Sequence, residues 1–220
     1  FFLKPASSLI GHGEPIVIRS YYGSAHPEPE LAVIVGREIR DLEPEQVGER
    51  IFGYTIVNDV TGNGMRAEDM FHYYALYPKS GSVDELQRVE QHLSYAARYK
   101  GTDTFCVMGP WVTTADAVME PDNLRVTCFI GDEKIADDNT CYYNFKIGEV
   151  LSFLSFFQTL NPGDVVSLGT AFKPGATRKS IHHANLLEVE GPVAIEIEQL
   201  GRQENPVSVE ELTLGRWRFD

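Results

Sequence analysis

Apolar residues along this chain fall mainly in short runs bounded by turn formers, and most of these runs read as strands. Leu31-Ala-Val-Ile-Val35 is apolar throughout, and a second apolar stretch runs from Phe52 into Asn58. Both predict strands, over 31–35 and 52–58, parted by a polar segment from Arg37 to Arg50 with Pro44 and Gly48 as breakers. Upstream, Phe1-Phe-Leu-Lys4-Pro5 opens an extended stretch, and Gly11, Gly13 and Pro15 precede a short strand, Ile16 to Ile18. Downstream, Arg125 to Ile130, the turn Gly131-Asp132 and the residues after it predict a hairpin. Val165 to Leu168 predicts a further strand, and the alternation in Leu187–Glu190 and Val193–Glu198 around Gly191-Pro192 predicts a second hairpin with one wet face.

Two stretches carry the longer helical period. Ser82-Val-Asp-Glu85 has the form of a capping box, and Leu86, Val89, Leu93, Ala96 and Ala97 follow at helical spacing. This predicts an amphipathic surface helix over about 83–98. Ile147 to Phe157 is apolar on most sides and predicts a buried helix, ended before Pro162-Gly163. The aromatic group Phe71, His72, Tyr73, Tyr74 and Tyr77 reads as packing, with His72 structural rather than a ligand. No repeat, low-complexity tract or linker divides the chain, so the expectation is one domain, 1–220, of the mixed β-rich α+β class with a few helices.

Composition narrows the function classes. Of 220 residues 43% are hydrophobic, enough for a sizeable core, and the formal charge is −13. That balance disfavours nucleic acid and anionic membranes as partners, because both are met by Lys/Arg patches. An anionic substrate would need a local positive centre. Cys106, Cys128 and Cys141 are odd in number and without a CxxC spacing, which argues against a disulfide framework and against a zinc site built on them. They read as packing residues in a reducing cytoplasm. No leader pattern opens the sequence and no run is long enough to span a bilayer.

The candidate chemistry sits at the mouth of the first apolar run. Alternate residues of a strand share a face, so Glu28 and Glu30 look the same way. Adjacent carboxylates repel and lose hydration when enclosed, and a divalent cation is a common remedy. An all-oxygen site suits Mg²⁺, Mn²⁺ or Ca²⁺. Asp59, where the second apolar run ends, offers a third acid. The plainer reading is a solvated strand end with unrelated acids.

Glu28-x-Glu30-Leu-Ala-Val-Ile-Val-Gly36 followed by Tyr54-Thr-Ile-Val-Asn-Asp59-Val-Thr61 resembles the fumarylacetoacetate hydrolase family. Lys100-Gly-Thr-Asp103-Thr-Phe105, Met108-Gly-Pro-Trp111 and the stretch from Pro162 to Thr170 match it too, in order. The resemblance implies a β-roll/β-sandwich fold, a homodimer and a Mg²⁺ ion (Mn²⁺ or Ca²⁺ as alternatives) held by Glu28, Glu30 and Asp59. It implies Lys100 as a catalytic lysine, Thr170 as a contact to a substrate carboxylate, and an active site beside the Phe-x-Lys4-Pro5 stretch. Asp103 would orient its neighbours. Relatives read Val-Thr-Ala-Arg-Asp-Leu-Gln after the third acid, whereas this chain reads Val60-Thr-Gly-Asn63-Gly-Met-Arg66. Asn63 and Arg66 therefore take substrate-facing positions with altered chemistry, and the segment from Asp59 to Lys100 is longer than the family pattern.

The resemblance also implies an upstream segment whose His and Glu activate water. The sequence from Phe1 onward has no matching motif, and His12, His92, His182 and His183 lie outside any. The expected activity is metal-dependent chemistry on 2-oxo or 1,3-dioxo carboxylic acids. C–C hydrolysis of acylpyruvate or fumarylacetoacetate-type acids leads. Isomerisation or decarboxylation of hydroxydienedioate or oxaloacetate-like acids, as in aromatic catabolism, and a non-catalytic metal- or ligand-binding homologue are the alternatives.

Overall fold

The two apolar runs pair with each other at the middle of a sheet, and burial on both faces explains why neither alternates with polar residues. The computed structural model describes residues 1–173 and 181–211. Its strands are β1 (Leu9–Gly11), β2 (Ile16–Arg19), β3 (Pro29–Val35), β4 (Ile51–Asp59), β5 (Met70–Pro78), β6 (Leu86–Ser94), β7 (Cys106–Thr114), β8 (Arg125–Ile130), β9 (Glu133–Asn139), β10 (Val165–Thr170), β11 (Val193–Ile197), β12 (Gly201–Asn205) and β13 (Val207–Glu210). Among the described residues four short α-helices accompany them, α1 (Pro44–Val47), α2 (Asn63–Glu68), α3 (Ala97–Gly101) and α4 (Ile147–Ser155), besides single 3-10 turns.

One sheet has the order β1-β7-β4-β3-β10 and a second the order β12-β11-β8-β9, with β13-β2 and β5-β6 as separate two-stranded ribbons. The neighbours in the first sheet are antiparallel except β1 and β7. Leu31, Val33 and Ile56 of the first sheet share one buried cluster with Val126, Ile195 and Ile197 of the second. Gln203 joins the sheets by polar contact as well. Its buried amide, on β12, donates to the carbonyls of Ile56, Val107 and Gly109 at 3.1–3.3 Å. This is a strand-dominated mixed architecture with few helices, as the periodicities imply.

The helix expected over 83–98 is absent. Residues 86–94 form β6 and pair with β5 in an unbroken antiparallel ladder from Met70↔Ser94 to Pro78↔Leu86. Half of the capping box does form, since Ser82 Oγ accepts from the backbone N–H of Asp84 and Glu85 at 3.3 and 3.0 Å, while Ser82 N–H donates to the Lys79 carbonyl instead of the Glu85 side chain. These bonds close the turn of a hairpin rather than open a helix. A helical stripe needs a surface to bury it, whereas the aromatic run Phe71 to Tyr77 is a strong strand former one turn away. The partner strand captured the segment.

The second hairpin is also re-paired. Residues 187–190 are not a strand, and β11 runs between β8 and β12. Gly191 carries φ 94° and lies against Gly131, whose Cα would be 2.8 Å from a Cβ at Gly191. The 187–190 segment thus crosses the β8–β9 turn instead of extending a ladder. Of the cysteines, Cys128 is buried, Cys106 half-buried and Cys141 exposed, so packing does not account for Cys141. Among the described residues no helix is long and apolar enough to cross a membrane.

Gln203→Ala would leave three buried carbonyls to find new partners. It is expected to cost about 1–3 kcal/mol in urea denaturation. A change within about 0.5 kcal/mol, as at an indifferent surface position, would show that the joint between the sheets does not depend on this amide.

Candidate functional site

The site grows from the ends of β3 and β4. Antiparallel pairing continues past the strands, because His26 and Thr61 exchange both backbone hydrogen bonds at 3.0 Å. Asp59 N–H donates to the Glu28 carbonyl at 3.0 Å, and the Asn58 side-chain oxygen accepts from Glu28 N–H at 3.0 Å. The ladder thereby brings Glu28, Glu30 and Asp59 together, with one carboxylate oxygen of each within 4.8 Å of the others. Glu30 and Asp59 are buried and Glu28 nearly so.

Two lysines from distant parts of the chain enter this negative pocket. Lys100, in the last turn of α3, places Nζ 2.6 Å from Asp59 Oδ2 and 3.0 Å from Glu28 Oε1. Helix α3 is held against the loop after β4 by Gly62 N–H donating to the Tyr99 carbonyl at 3.0 Å. Lys4 donates to the other oxygen of Asp59 and to the Lys100 carbonyl. Behind Glu28, Thr61 Oγ1 donates to Oε1 at 2.6 Å and His26 Nε2 lies 3.1 Å from it. Around Glu30, Ser167 Oγ donates at 2.5 Å and Gly169 N–H at 3.3 Å, both to Oε2. The β10 register shifts between Ser167 and Thr170, which turns these donors towards Glu30.

These surroundings drive two carboxyls on one strand face in opposite directions. Burial raises the Glu28 carboxyl, but hydrogen bonding from His26 and the nearby Lys100 ammonium outweigh it and hold it down at about 2. Burial pushes Glu30 up to about 8, and the Asp59 and Glu28 charges add to it against the Ser167 hydrogen bond. Burial lowers the Lys100 ammonium too, yet Asp59 and Glu28 more than offset this, so its pKa stands raised and it stays charged at neutral pH. The Cys106 thiol beside the site is pushed up by burial to about 11 and is no nucleophile near neutrality.

A cavity of about 660 Å³ opens onto this cluster. Lys4, Lys100, Ser167 and the three acids line it, with Leu9, Val57, Met108, Leu160 and the Phe1–Phe2 segment supplying apolar wall. The donor set fits a hard divalent cation, since it is all oxygen, lies on a cavity, and includes one carboxyl whose charge its present partners leave costly. The other expected residues lie elsewhere. Thr170 faces Glu30 across the ladder, with its Oγ1 buried and without a hydrogen-bond partner, and is not on the cavity wall. Asn63 Nδ2 lies 2.9 Å from His26 Nδ1, so it acts on Glu28 through His26. Arg66 is exposed on α2, its guanidinium 5.8 Å from the Tyr99 ring centroid, and Asp103 is exposed. The glycine at 64 has a steric cause, because a Cβ there would lie 2.4 Å from the Tyr22 carbonyl.

His26, Thr61 and Ser167 were not anticipated from the sequence. The signal for His26 was present, since it sits two residues before Glu28 in the same alternation. Ser167 owes its role to a bulge, which leaves no pattern in the residues themselves.

With this geometry in view, comparison with known proteins defines the class. The family model for the fumarylacetoacetate (FAA) hydrolase C-terminal region matches residues 1–208. The chain belongs to the fumarylacetoacetate hydrolase family. It is 31% identical over 206 residues to the mitochondrial oxaloacetate tautomerase fahd2 of Xenopus laevis, covering 94% of this chain but only 57% of the frog protein. Among solved structures it resembles the 5-carboxymethyl-2-hydroxymuconate delta-isomerase of Mycobacterium smegmatis, with TM-score 0.70, 28% identity and coverage of 95% of this chain and 68% of that one. It also resembles the maleylpyruvate hydrolase of Sphingobium sp. SYK-6 in complex with manganese(II) and pyruvate, with TM-score 0.67, 27% identity and coverage of 94% and 64%.

The raised Glu30 carboxyl sets a pH dependence. Between about 4.5 and about 8 the folded chain holds a proton that the unfolded chain releases, so this contribution to stability is full below 4.5 and is lost as pH climbs through 8. Glu30→Gln is expected to abolish that slope in chelator-treated protein. From pH 6 to pH 9 the variant should be spared a loss on the order of a few kcal/mol that the parent suffers. Parallel stability curves for the two proteins in urea would refute the assignment.

Proposed function

We propose that this chain is a divalent-metal-dependent enzyme acting on 2-oxo or 1,3-dioxo carboxylic acids by forming and reprotonating an enolate. The observation that carries this reading is the convergence of three carboxylates and two lysines on a cavity that is otherwise largely apolar. Glu28, Glu30 and Asp59 would hold the cation, with Mg²⁺ or Mn²⁺ favoured by the oxygen donors. A cation bound there supplies a Lewis acid for the paired oxygens of a 2-oxo acid.

The chain's own groups do the rest. Lys100 keeps its proton at neutral pH, so it serves as a donor that stabilises the enolate oxygen and returns a proton. Lys4 adds a second positive centre for the substrate carboxylate in a chain of strongly negative net charge. Ser167 and the Gly169 N–H fix the Glu30 carboxylate, and His26, held by Asn63, fixes Glu28. The apolar wall accepts the hydrocarbon part of the acid.

Keto–enol interconversion, the activity named in the tautomerase relative, moves one proton: a water molecule in the cavity would take it from the carbon beside the carbonyl, and Lys100 would donate its own proton to the enolate oxygen and recover one from solvent. C–C hydrolysis is the second reading, favoured by the likeness to a hydrolase solved with pyruvate, and it needs in addition a base that activates water. The substrate class is common to both.

The test is turnover of oxaloacetate, an acylpyruvate, fumarylacetoacetate and a hydroxydienedioate with Mg²⁺ or Mn²⁺, each repeated with EDTA. Solvent-deuterium uptake beside the carbonyl without cleavage marks tautomerisation, and release of two acids marks hydrolysis. Glu28→Ala and Asp59→Asn should lose saturable Mn²⁺ binding. Lys100→Met should keep the metal and lose about 10²–10⁴-fold in kcat. Turnover that survives EDTA, or an unchanged kcat in Lys100→Met, would sink the reading.

A further inference from the structure

Among the described residues, a second group of metal-ligating side chains converges away from the carboxylate site, on the β5–β6 ribbon. The ladder sets His72 directly opposite His92 and Tyr74 opposite Glu90. The two-residue period puts all four on one face. The imidazoles stack with ring centroids 4.7 Å apart and planes 14° from parallel. Both Nε2 atoms are aimed at the same carboxylate oxygen, Glu90 Oε1, at 2.6 Å from His72 and 3.6 Å from His92. One donor atom from each residue lies within 4.8 Å of the others. The opposite face of the ribbon carries no charged or imidazole group from Phe71 to Tyr77 or from Gln87 to Leu93. The ligating groups are thus gathered on one side rather than spread as a solvated ribbon would have them.

We propose that His72, His92 and Glu90 form a binding site for a borderline divalent transition metal such as Zn²⁺, through the two Nε2 atoms and the Glu90 carboxylate. Two nitrogens and one oxygen suit Zn²⁺, Ni²⁺ or Cu²⁺ and are a poor match for Mg²⁺, which prefers oxygen donors alone. The two sites of this chain therefore sort cations by ligand chemistry. The side chains of the three residues are about half exposed, at 47%, 56% and 57%, so an ion reaches them from solvent without any opening of the fold. A ribbon of only two strands is marginal in water, and an ion bridging His72 on β5 to His92 and Glu90 on β6 clamps the strands together. Arg88, whose guanidinium lies 3.6 Å from the Tyr74 ring centroid, flanks the site on the same face.

The test is a Zn²⁺ titration of the full chain by calorimetry in excess Mg²⁺, which keeps the carboxylate site occupied. One Zn²⁺ per chain is expected. His72→Gln, His92→Gln and Glu90→Gln should each weaken binding by about tenfold or more, at least what losing an outer partner of a metal ligand costs. The three are surface changes that retain a polar side chain, and far-UV circular dichroism checks that the fold persists. With Zn²⁺ bound, amide exchange should slow in residues 70–78 and 86–94, and bound Cu²⁺ should show two equivalent nitrogens by electron paramagnetic resonance. Unchanged Zn²⁺ affinity in the His72→Gln/His92→Gln double variant would overturn the proposal. So would Zn²⁺ binding that Glu28→Ala alone removes, which would assign the ion to the carboxylate site.

Discussion

Three carboxylates drawn within 4.8 Å of each other at the edge of a cavity form an arrangement that repels itself. The structure around β3 and β4 offsets that repulsion. Lys4 and Lys100 come from far apart in sequence to the same carboxylate, Asp59, and each meets a different oxygen. The β10 bulge turns Ser167 towards Glu30. The antiparallel pairing extends beyond β3 and β4 to align His26 and Thr61 with Glu28. Each of these features makes structural sense as compensation for buried negative charge. Taken together they hold three acids and two lysines on the wall of one cavity.

The compensation is uneven, and the unevenness has chemical content. Glu28 and Glu30 are two residues apart on one face, yet His26 and Lys100 hold one well below the ordinary carboxylate range while burial and the other acids lift the second to about 8. Identical side chains separated by partners in this way are the usual basis for dividing roles within a site. The result is one ionised acid, one reluctant acid and a protonated lysine side by side, the charge pattern on which the proposed cation binding rests. The neighbouring Cys106, despite its place on the cavity wall, is kept inert by burial.

The β5–β6 ribbon shows the opposite balance, with exposed groups and little tertiary support. Its aromatic residues are open to solvent on both faces, among them Phe71, Tyr73 and Tyr74. What distinguishes it is the asymmetry between an uncharged face and one bearing two stacked imidazoles and a carboxylate. A helix over 83–98 would give His92 no fixed relation to His72, so the asymmetry exists only in the paired ribbon. Pairing alone brings the two rings into contact.

By itself the sequence determined the central strands, the position of helix α4, the β8–β9 hairpin and the alternation that sets Glu28 beside Glu30, but α4 is not buried on most sides, since it turns Phe153 to solvent at 57% exposure. These are local consequences of period and turn chemistry, written in residues a few places apart. It also identified Asp59 and Lys100, through the order of motifs along the chain. Tertiary structure decided the rest. Whether 86–94 becomes helix or strand depends on which partner buries it, and a neighbouring run of strand formers prevailed over a helical stripe. Whether 187–190 extends a ladder depends on the close approach of Gly191 to Gly131. The placement of Asn63 behind His26, of Arg66 out on α2 and of Thr170 beside Glu30 came from pairing and bulge geometry. Period and propensity act over a few residues, whereas the contacts that complete both candidate sites join residues many positions apart.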